Sequence, residues 1–175
     1  MDILEKLAFL EEHAQNNHVP ILGPIKGAWL QEYVQKNRPK TVLELGTAIG
    51  YSTIILASQG AKVISVDYDA KRQALAKEFA SYFSLDCTFI HMDAFDYLEQ
   101  CEKQNDFFDL VFLDITKKNY LRAFIILQKI ANVIIADNTS HPACQDFMQE
   151  IQRFDTKNIT LGDGLSITKT QARTQ

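Results

Sequence analysis

The stretch Thr41–Ile54, TVLELGTAIGYSTI, determines the fold expected of this 175-residue chain. A short apolar run ends at Leu45, two glycines follow at Gly46 and Gly50, and a helical apolar pattern then begins. This order predicts a buried strand, a tight loop and a helix start. Glycine has no Cβ, so the loop lets a ligand approach its backbone closely. The first helical turn offers unpaired N–H groups and the hydroxyl of Ser52, which favours a small, partly anionic ligand.

The spacing of the glycines separates the classes of nucleotide-like ligand. A dinucleotide-binding loop requires G-x-G-x-x-G, and a phosphate-binding loop requires G-x-x-x-x-G-K-[ST]. The chain has Glu44-x-Gly46-x-x-x-Gly50, which fits neither and disfavours a nicotinamide dehydrogenase. The alternative to a ligand-binding loop is an ordinary strand-turn-helix of an α/β domain.

The same stretch resembles motif I of the class I S-adenosylmethionine-dependent methyltransferases. The match is to the form found in small-molecule O-methyltransferases, in which the first and last glycines are kept and Tyr-Ser follows, here Tyr51-Ser52. The resemblance implies that S-adenosylmethionine is the cofactor. It implies cofactor contacts at Glu44, Gly46, Thr47, Gly50, Tyr51 and Ser52.

Composition and length narrow the class of protein. A hydrophobic content of 46% and a charged content of 23% are those of an ordinary globular protein. The length predicts a single domain over residues 1–175. Within it we expect N-terminal helices at 1–37 and a sheet core at 38–175. No apolar run reaches the ~18 residues of a membrane helix, so no membrane partner is expected. Three cysteines without metal-type spacing predict reduced thiols and a cytoplasmic location. A net charge of −4 disfavours a nucleic-acid partner.

Strand and helix patterns alternate after the first 40 residues. Apolar runs predict strands at Lys62–Asp67, Cys87–His91, Phe107–Asp114 and Asn132–Asp137, and a terminal hairpin at Asn158–Leu161 and Leu165–Lys169. Helical spacing predicts helices at Asp2–Gln15, Pro24–Asn37, Asp69–Ser84, Asp93–Lys103, Asn119–Ile130 and Pro142–Phe154. The fold class is therefore α/β, a doubly wound, mostly parallel sheet with helices on both faces. The terminal hairpin is typical of the seven-stranded, Rossmann-like methyltransferase fold, with the strand order 3-2-1-4-5-7-6.

An aspartate ends three of the predicted strands and follows a fourth: Asp67, Asp114 and Asp137 end their strands, and Asp93 follows Cys87–His91. Taken singly, each is readily explained as a helix cap or a turn residue. Together they fall on the edge where parallel α/β sheets bind ligands, next to the point where strand order reverses. The sequence therefore predicts that all four line one cleft.

The first two of these acids are expected to contact the cofactor. Asp67 follows the glycine loop by about 20 residues, where an acid accepts hydrogen bonds from both ribose hydroxyls, with Tyr68 beside it and Asp69 sharing the role. In the methyltransferases that motif I resembles, the position of Asp93 and Ala94 contacts the adenine edge.

The other two acids predict a metal site. Neighbouring strands lie about 4.8 Å apart, so the side chains of Asp114, Asp137 and Asn138 can converge on one small cation. Two carboxylates and an amide oxygen suit Mg²⁺, with water and substrate oxygens completing the coordination.

Four motifs in order resemble those of the metal-dependent O-methyltransferases of the catechol and caffeoyl-CoA type, including their small bacterial and archaeal relatives. The likeness covers Val19 to Lys169 and is carried by ELGTAIGYS (44–52), FDLVFLDITKKNY (108–120), ADN (136–138) and GDGL (162–165). It implies metal ligation by Asp114, Asp137 and Asn138, a further cofactor contact at Asp114, and a catalytic Lys117. It also implies that Val19–Gly27 folds over the methionine end of the cofactor, with Ile21 and Leu22 in contact.

The chain departs from that family pattern in three places. Ile115 and Thr116 stand where the family has Ala-Asp, the segment between Asn138 and Asp163 is short, and the carboxylate of the catechol enzymes ahead of the hairpin is missing near Lys157. No N-terminal extension like that of the plant dimers is expected, and a homodimer is left open.

The predicted function is methyl transfer from S-adenosylmethionine to a hydroxyl of a small, catechol-like acceptor, with a divalent metal. Two alternatives remain. One is methylation of a hydroxylated uridine in transfer RNA, which a lysine patch beside the cleft would favour. The other is a cofactor-binding module without turnover.

Overall fold

The structure is a computed structural model that describes residues 3–170, so the predicted start of the first helix at Asp2 and the ends of the predicted domain lie outside the described residues. The helices are α1 Ile3–Asn16, α2 Gly23–Asn37, α3 Tyr51–Ala57, α4 Ala70–Ser81, α5 Ala94–Gln104, α6 Tyr120–Ile130 and α7 Gln145–Ile151. The strands are β1 Thr41–Leu45, β2 Lys62–Asp67, β3 Cys87–His91, β4 Phe108–Leu113, β5 Ala131–Asp137, β6 Asp155–Ile159 and β7 Leu165–Lys169. Short 3₁₀ turns precede α6 at Lys117–Asn119 and α7 at Pro142–Cys144.

The strands form one seven-stranded sheet in the order β3-β2-β1-β4-β5-β7-β6, which confirms the predicted topology. Strands β1 to β5 are parallel, and β7 runs antiparallel between β5 and β6. Two hydrophobic clusters cover the two faces of the sheet. One contains side chains of α5, α6 and α7, such as Leu98, Phe124 and Phe147, and the other contains side chains of α1 to α4, such as Leu7, Leu30 and Ile54.

Three predicted elements have other bounds in the structure. The first strand of the hairpin begins at Asp155 and not at Asn158, because an exposed edge strand carries polar side chains and gives no apolar run. The last predicted helix is a 3₁₀ turn beginning at Pro142, followed by α7. Helix α4 stops at Ser81, and Ser84 has a left-handed φ of 48°.

Two aspartates that were predicted to begin helices stand just before them as caps. The Asp69 side chain accepts hydrogen bonds from the amides of Lys71 and Arg72, and the Asp93 side chain accepts one from the amide of Phe95. Both caps satisfy first-turn amides that would otherwise lack a partner.

The central strands β1 and β4 position the site. They pair in parallel through Leu45 and Leu113, and the amide of Asp114 continues the ladder by donating to the carbonyl of Leu45 at 2.8 Å. The loops that follow the two strands lead to helices on opposite faces of the sheet. A cleft therefore opens at this edge.

Within residues 3–170, none of the helices combines the length and the apolar character that crossing a bilayer requires.

Candidate active site

A cavity of about 760 Å³ lies at the carboxyl edge of the sheet. Its walls come from the loops after β1, β2, β3, β4 and β5 and from the segment before α2. All four strand-end acids line it, together with Ile21, Gly46, Tyr68, Ala94, Lys117 and Asn138.

The glycine loop requires a residue without a side chain at its first position. Gly46 has a φ of +101°, and a Cβ at this residue would lie 2.2 Å from the carbonyl oxygen of Asp114. Gly50 has a φ of +85° and faces Ala76 of α4, whose Cβ would lie 3.1 Å from an added Cβ. The first glycine thus lets β1 and β4 approach each other where the cleft begins, and the second lets α4 pack under the loop.

Asp67 holds the glycine loop in place. Its Oδ2 accepts hydrogen bonds from the amides of Thr47 and Ala48, both at 3.0 Å, and its Oδ1 accepts one from the amide of Asp69 at 2.9 Å. The carboxylate lines the cavity as the sequence predicts, and its Oδ1 keeps a lone pair beyond the one amide that it binds, whereas Oδ2 uses both of its own. Its contact with a ribose stays a prediction.

Beneath the loop lies a fully buried carboxylate, that of Glu44. It accepts hydrogen bonds from the hydroxyls of Ser52 and Ser65, both at 2.5 Å, and from Thr53. Burial raises the pKa of Glu44 to about 7, although the three hydroxyl donors act in the opposite direction. Glu44 is not part of the cavity wall. The expectation that the Ser52 hydroxyl serves a bound anion is not met, because this hydroxyl donates to Glu44.

The side chains of two more predicted cofactor contacts, Thr47 and Tyr51, bind other side chains of the protein. The Thr47 hydroxyl lies 2.6 Å from that of Ser65, and the Tyr51 hydroxyl donates to Glu11 of α1 at 2.6 Å. Whether Thr47, Gly50 and Tyr51 touch a cofactor through their backbone stays a prediction.

Next to Asp67, the cavity wall carries one large exposed side chain. Tyr68 is 74% exposed and stands at the cavity wall beside Asp93 and Ala94. Ile21 lines the same cavity, and Leu22 lines a second cavity of about 300 Å³.

The acidic part of the cavity holds two carboxylates, each paired with a lysine. Lys117 Nζ lies 2.5 Å from Asp114 Oδ1 and 5.2 Å from the ring centroid of Tyr120. Asp137 is buried, and its Oδ1 accepts hydrogen bonds from Lys26 and from the amide of Asn138. Burial raises the pKa of Asp137, the charge of Asp114 raises it further, and Lys26 opposes both.

Sequence reasoning missed two residues of this site, Lys26 and Asp163. The Lys26 ammonium lies between Asp137 and Asp163 and forms an ion pair with each. These partners outweigh the effect of burial and raise the pKa of Lys26. Burial would raise the pKa of Asp163, but hydrogen bonds from Lys26 and Asn138 hold it below its ordinary value.

The hairpin loop delivers Asp163 to the site. The amide of Ser140 donates to the Asp163 carbonyl at 2.9 Å, and that of Thr139 donates to the Gly164 carbonyl at 3.2 Å. Asp163 therefore brings a carboxylate next to Lys26 and Asn138, whereas Lys157, near which the family's carboxylate is missing, is exposed on β6. The Gly-Asp-Gly turn was a visible signal for Asp163, and a single lysine in the apolar first turn of α2 was one for Lys26.

A family model described as O-methyltransferase matches residues 2–142. The chain belongs to the O-methyltransferase family. This result confirms the resemblance inferred from the four motifs.

Individual members of the O-methyltransferase family agree with this assignment. The catechol O-methyltransferase of Bos taurus is 26% identical over 154 residues, which cover 79% of this chain and 57% of that protein. The chain thus spans little more than half the length of that relative.

Two solved structures are similar over nearly the whole chain. A Staphylococcus aureus protein assigned as a caffeoyl-CoA O-methyltransferase superposes with a TM-score of 0.82 at 26% identity, covering 97% of this chain and 93% of that one. An O-methyltransferase from Bacillus cereus in complex with SAH superposes with a TM-score of 0.81 at 26% identity, covering 98% of this chain and 92% of that one.

Within residues 3–170, no group of three or more His, Cys, Asp or Glu side chains is arranged to hold a metal ion. The oxygen atoms of two aspartates and one asparagine nevertheless fit a hard cation. Asp114, Asp137 and Asn138 all line the cavity from neighbouring strand ends. Each carboxylate uses Oδ1 for its lysine, and Asn138 uses Nδ2 for Asp163, so Asp114 Oδ2, Asp137 Oδ2 and Asn138 Oδ1 are left. Three oxygens of this kind are the donors that Mg²⁺ prefers.

Proposed function

We propose that this chain is an S-adenosylmethionine-dependent O-methyltransferase that methylates a hydroxyl of a small acceptor and uses a divalent cation to do so. One observation supports this most strongly. A single cavity joins a glycine loop that is pinned by Asp67 to a pair of carboxylates, Asp114 and Asp137, on adjacent strand ends. A methyl donor and an acceptor hydroxyl must meet in such a space for direct transfer.

The loop end of the cavity suits the cofactor. Loop amides, the Asp67 carboxylate and the exposed ring of Tyr68 offer polar contacts and one flat apolar surface along the same wall. The similar Bacillus cereus protein binds SAH, the product that S-adenosylmethionine leaves after methyl transfer. We therefore assign this end to the cofactor, with Asp93 and Ala94 toward its adenine.

The carboxylate end suits the acceptor. Asp114, Asp137 and Asn138 would hold the cation, which when bound supplies a Lewis acid that lowers the pKa of an acceptor hydroxyl. Lys117 reaches the same wall, and as the neutral amine, after its ammonium has released a proton to solvent, it is the group proposed to accept the hydroxyl proton at Nζ. Because the sulfonium donor is already activated, positioning by these walls supplies a large share of the rate, up to about 7–11 kcal/mol.

The test compares binding with turnover. SAH binding is measured by calorimetry, and turnover is measured on a panel of catechols with added Mg²⁺ or with excess chelator. Asp137→Ala is expected to abolish metal-stimulated turnover and to leave SAH affinity within a few-fold of wild type. Asp155→Ala, an exposed carboxylate on the edge strand, is the matched control. Turnover that persists in Asp137→Ala with chelator present would refute the metal role.

A second candidate is methylation of a hydroxylated uridine in transfer RNA, and one observation favours it. Arg72, Lys117 and Lys118 all line the cavity, a local cationic surface in a chain of negative net charge. Turnover on hydroxylated transfer RNA that falls in Lys118→Met, with no turnover on catechols, would select this acceptor. SAH binding without turnover on either substrate would indicate a cofactor-binding module. The homodimer and the cytoplasmic location stay predictions.

A further inference from the structure

Lys26 is buried at the junction of three parts of the fold. It extends from the first turn of α2, is 6% exposed, and pairs with Asp137 at the end of β5 and Asp163 in the hairpin loop. Gly162 leaves room for its side chain, because a Cβ there would lie 3.3 Å from Lys26 Cε. A buried ammonium with two carboxylate partners is a built feature and not a solvated surface charge.

The Lys26 ammonium contacts Asp137 from the side of the smaller cavity. Asp137 and Asn138 line both the 760 Å³ cavity and the 300 Å³ cavity, whereas Lys26 lines only the smaller one. Lys26 therefore engages Asp137 Oδ1 from the side of α2, while the carboxylate also faces the larger cavity.

The charges of the ion pairs around Asp114 and Asp137 are nearly balanced without a metal. The three carboxylates of Asp114, Asp137 and Asp163 face the two ammonium groups of Lys26 and Lys117, which leaves a net charge of −1. A divalent cation that binds here turns this sum to +1. With Lys26 removed, the same binding event would take the sum from −2 to zero.

We infer that Lys26 is a fixed internal counter-ion of Asp137 that weakens the hold of this sheet edge on a divalent cation and couples cation binding to the hairpin loop through Asp163. This inference rests on the proposed function, since it concerns the cation site assigned there. Coupling is reciprocal, so a bound cation must weaken the ion pairs of Lys26 by the same factor by which Lys26 weakens cation binding.

The first experiment measures Mn²⁺ binding from the electron paramagnetic resonance signal of the free ion. Even with water-like screening, removal of one unit charge a few ångströms from a divalent ion changes its affinity roughly tenfold. Lys26→Met is therefore expected to bind Mn²⁺ roughly tenfold more tightly than wild type. Lys26→Arg keeps the charge and should stay near the wild-type affinity. Lys129→Met removes an exposed lysine paired with Glu102 and controls for net charge.

The outcomes separate this inference from the function on which it rests. Weaker or unchanged Mn²⁺ binding in Lys26→Met, while Asp114→Asn still reduces binding, overturns the counter-ion role and leaves the cation site standing. Equal Mn²⁺ binding in wild type and Asp114→Asn removes the cation site and the inference with it.

A second measurement uses the wild-type chain and so does not depend on the folding of a variant. Reductive methylation of Lys26, followed by mass spectrometry, is compared with and without saturating Mg²⁺, and Lys129 serves as the internal reference. Coupling predicts that Mg²⁺ speeds modification of Lys26 several-fold and leaves that of Lys129 unchanged. A rate for Lys26 that Mg²⁺ leaves unchanged or lowers overturns the inference.

Discussion

The hydroxyl of Tyr120 lies 2.9 Å from the backbone carbonyl oxygen of Asp137. The same hydroxyl lies 3.0 Å from the carbonyl oxygen of Leu113, so one buried phenol bridges the ends of β4 and β5. Burial, followed by the charges of Asp114 and Asp137, raises the pKa of Tyr120 far above its ordinary value, so the group remains a donor. Tyr120 thus fixes the spacing of the two strand ends that carry the proposed cation ligands.

Tyr120→Phe is expected to lower the free energy of unfolding by about 1–3 kcal/mol, because buried carbonyls lose their donor. It should weaken Mn²⁺ binding and leave SAH affinity near wild type, since the glycine loop is not touched. Urea denaturation and the two binding assays measure these effects. Tyr82→Phe is the control, because Tyr82 is 64% exposed. Loss of SAH binding with intact Mn²⁺ binding would contradict the bridging role.

Gly46→Ala and Gly60→Ala form a matched pair, because both glycines have a left-handed φ but only the first is crowded. An added Cβ meets the Asp114 carbonyl oxygen at 2.2 Å at Gly46, and meets nothing within 4 Å at Gly60. Gly60→Ala should cost about 1–2 kcal/mol of unfolding free energy through backbone strain alone. Gly46→Ala should cost more and should also weaken SAH binding. Equal thermal shifts for both variants would show that the close approach of β1 and β4 does not matter.

Glu44→Gln tests the buried carboxylate under the loop through the pH dependence of stability. The folded protein keeps this proton up to about pH 7, whereas the unfolded chain releases it near the ordinary value of 4.5. Unfolding therefore releases a proton between these values, and stability falls as the pH rises across the window, by at most about 1.4 kcal/mol per pH unit.

The glutamine variant has no such proton. The unfolding free energy of the variant minus that of wild type should therefore increase as the pH rises from about 5 to about 8. Urea denaturation at several pH values measures the difference. Glu78→Gln, at an exposed site on α4, should run parallel to wild type. A parallel curve for Glu44→Gln would mean that Glu44 is ionised throughout.

Lys117→Met tests the proposed proton acceptor. Turnover should fall roughly 10²- to 10⁴-fold, the usual contribution of a positioned acid or base, and SAH affinity should stay near wild type. Lys118→Met is the control on small acceptors, because the neighbouring lysine lines the same cavity but is exposed. Similar losses in the two variants would assign the effect to charge at the rim and not to proton transfer.

The fold could be predicted from sequence where short runs rich in apolar and β-branched residues mark the strands. The predicted bounds Lys62–Asp67, Cys87–His91 and Leu165–Lys169 agree with β2, β3 and β7. The edge strand β6 could not be placed in the same way, because one of its sides faces solvent and its residues are mostly polar.

The candidate site likewise contains residues that the sequence could place and residues that it could not. The strand-end acids could be placed on one edge, because parallel topology brings the carboxyl ends of all these strands together. The partners of those acids could not be found, because Lys26 and Asp163 are 137 residues apart and no local pattern relates them. The burial of Glu44 and Ser52 was likewise not visible, since a buried polar side chain looks the same in sequence as one that faces a ligand.

Asp163 lies in the terminal hairpin, and this position decides when the ion pairs of Lys26 can form during synthesis. Translation runs from the N-terminus, so Lys26, the glycine loop and Asp137 are synthesised before β6, the hairpin loop and β7. The nascent chain can therefore form the Lys26–Asp137 pair first, while Asp163 arrives only when β7 inserts between β5 and β6. The three-way ion bridge thus depends on a segment that translation adds late, and a chain cut short before Gly162 would lack the second carboxylate partner of Lys26.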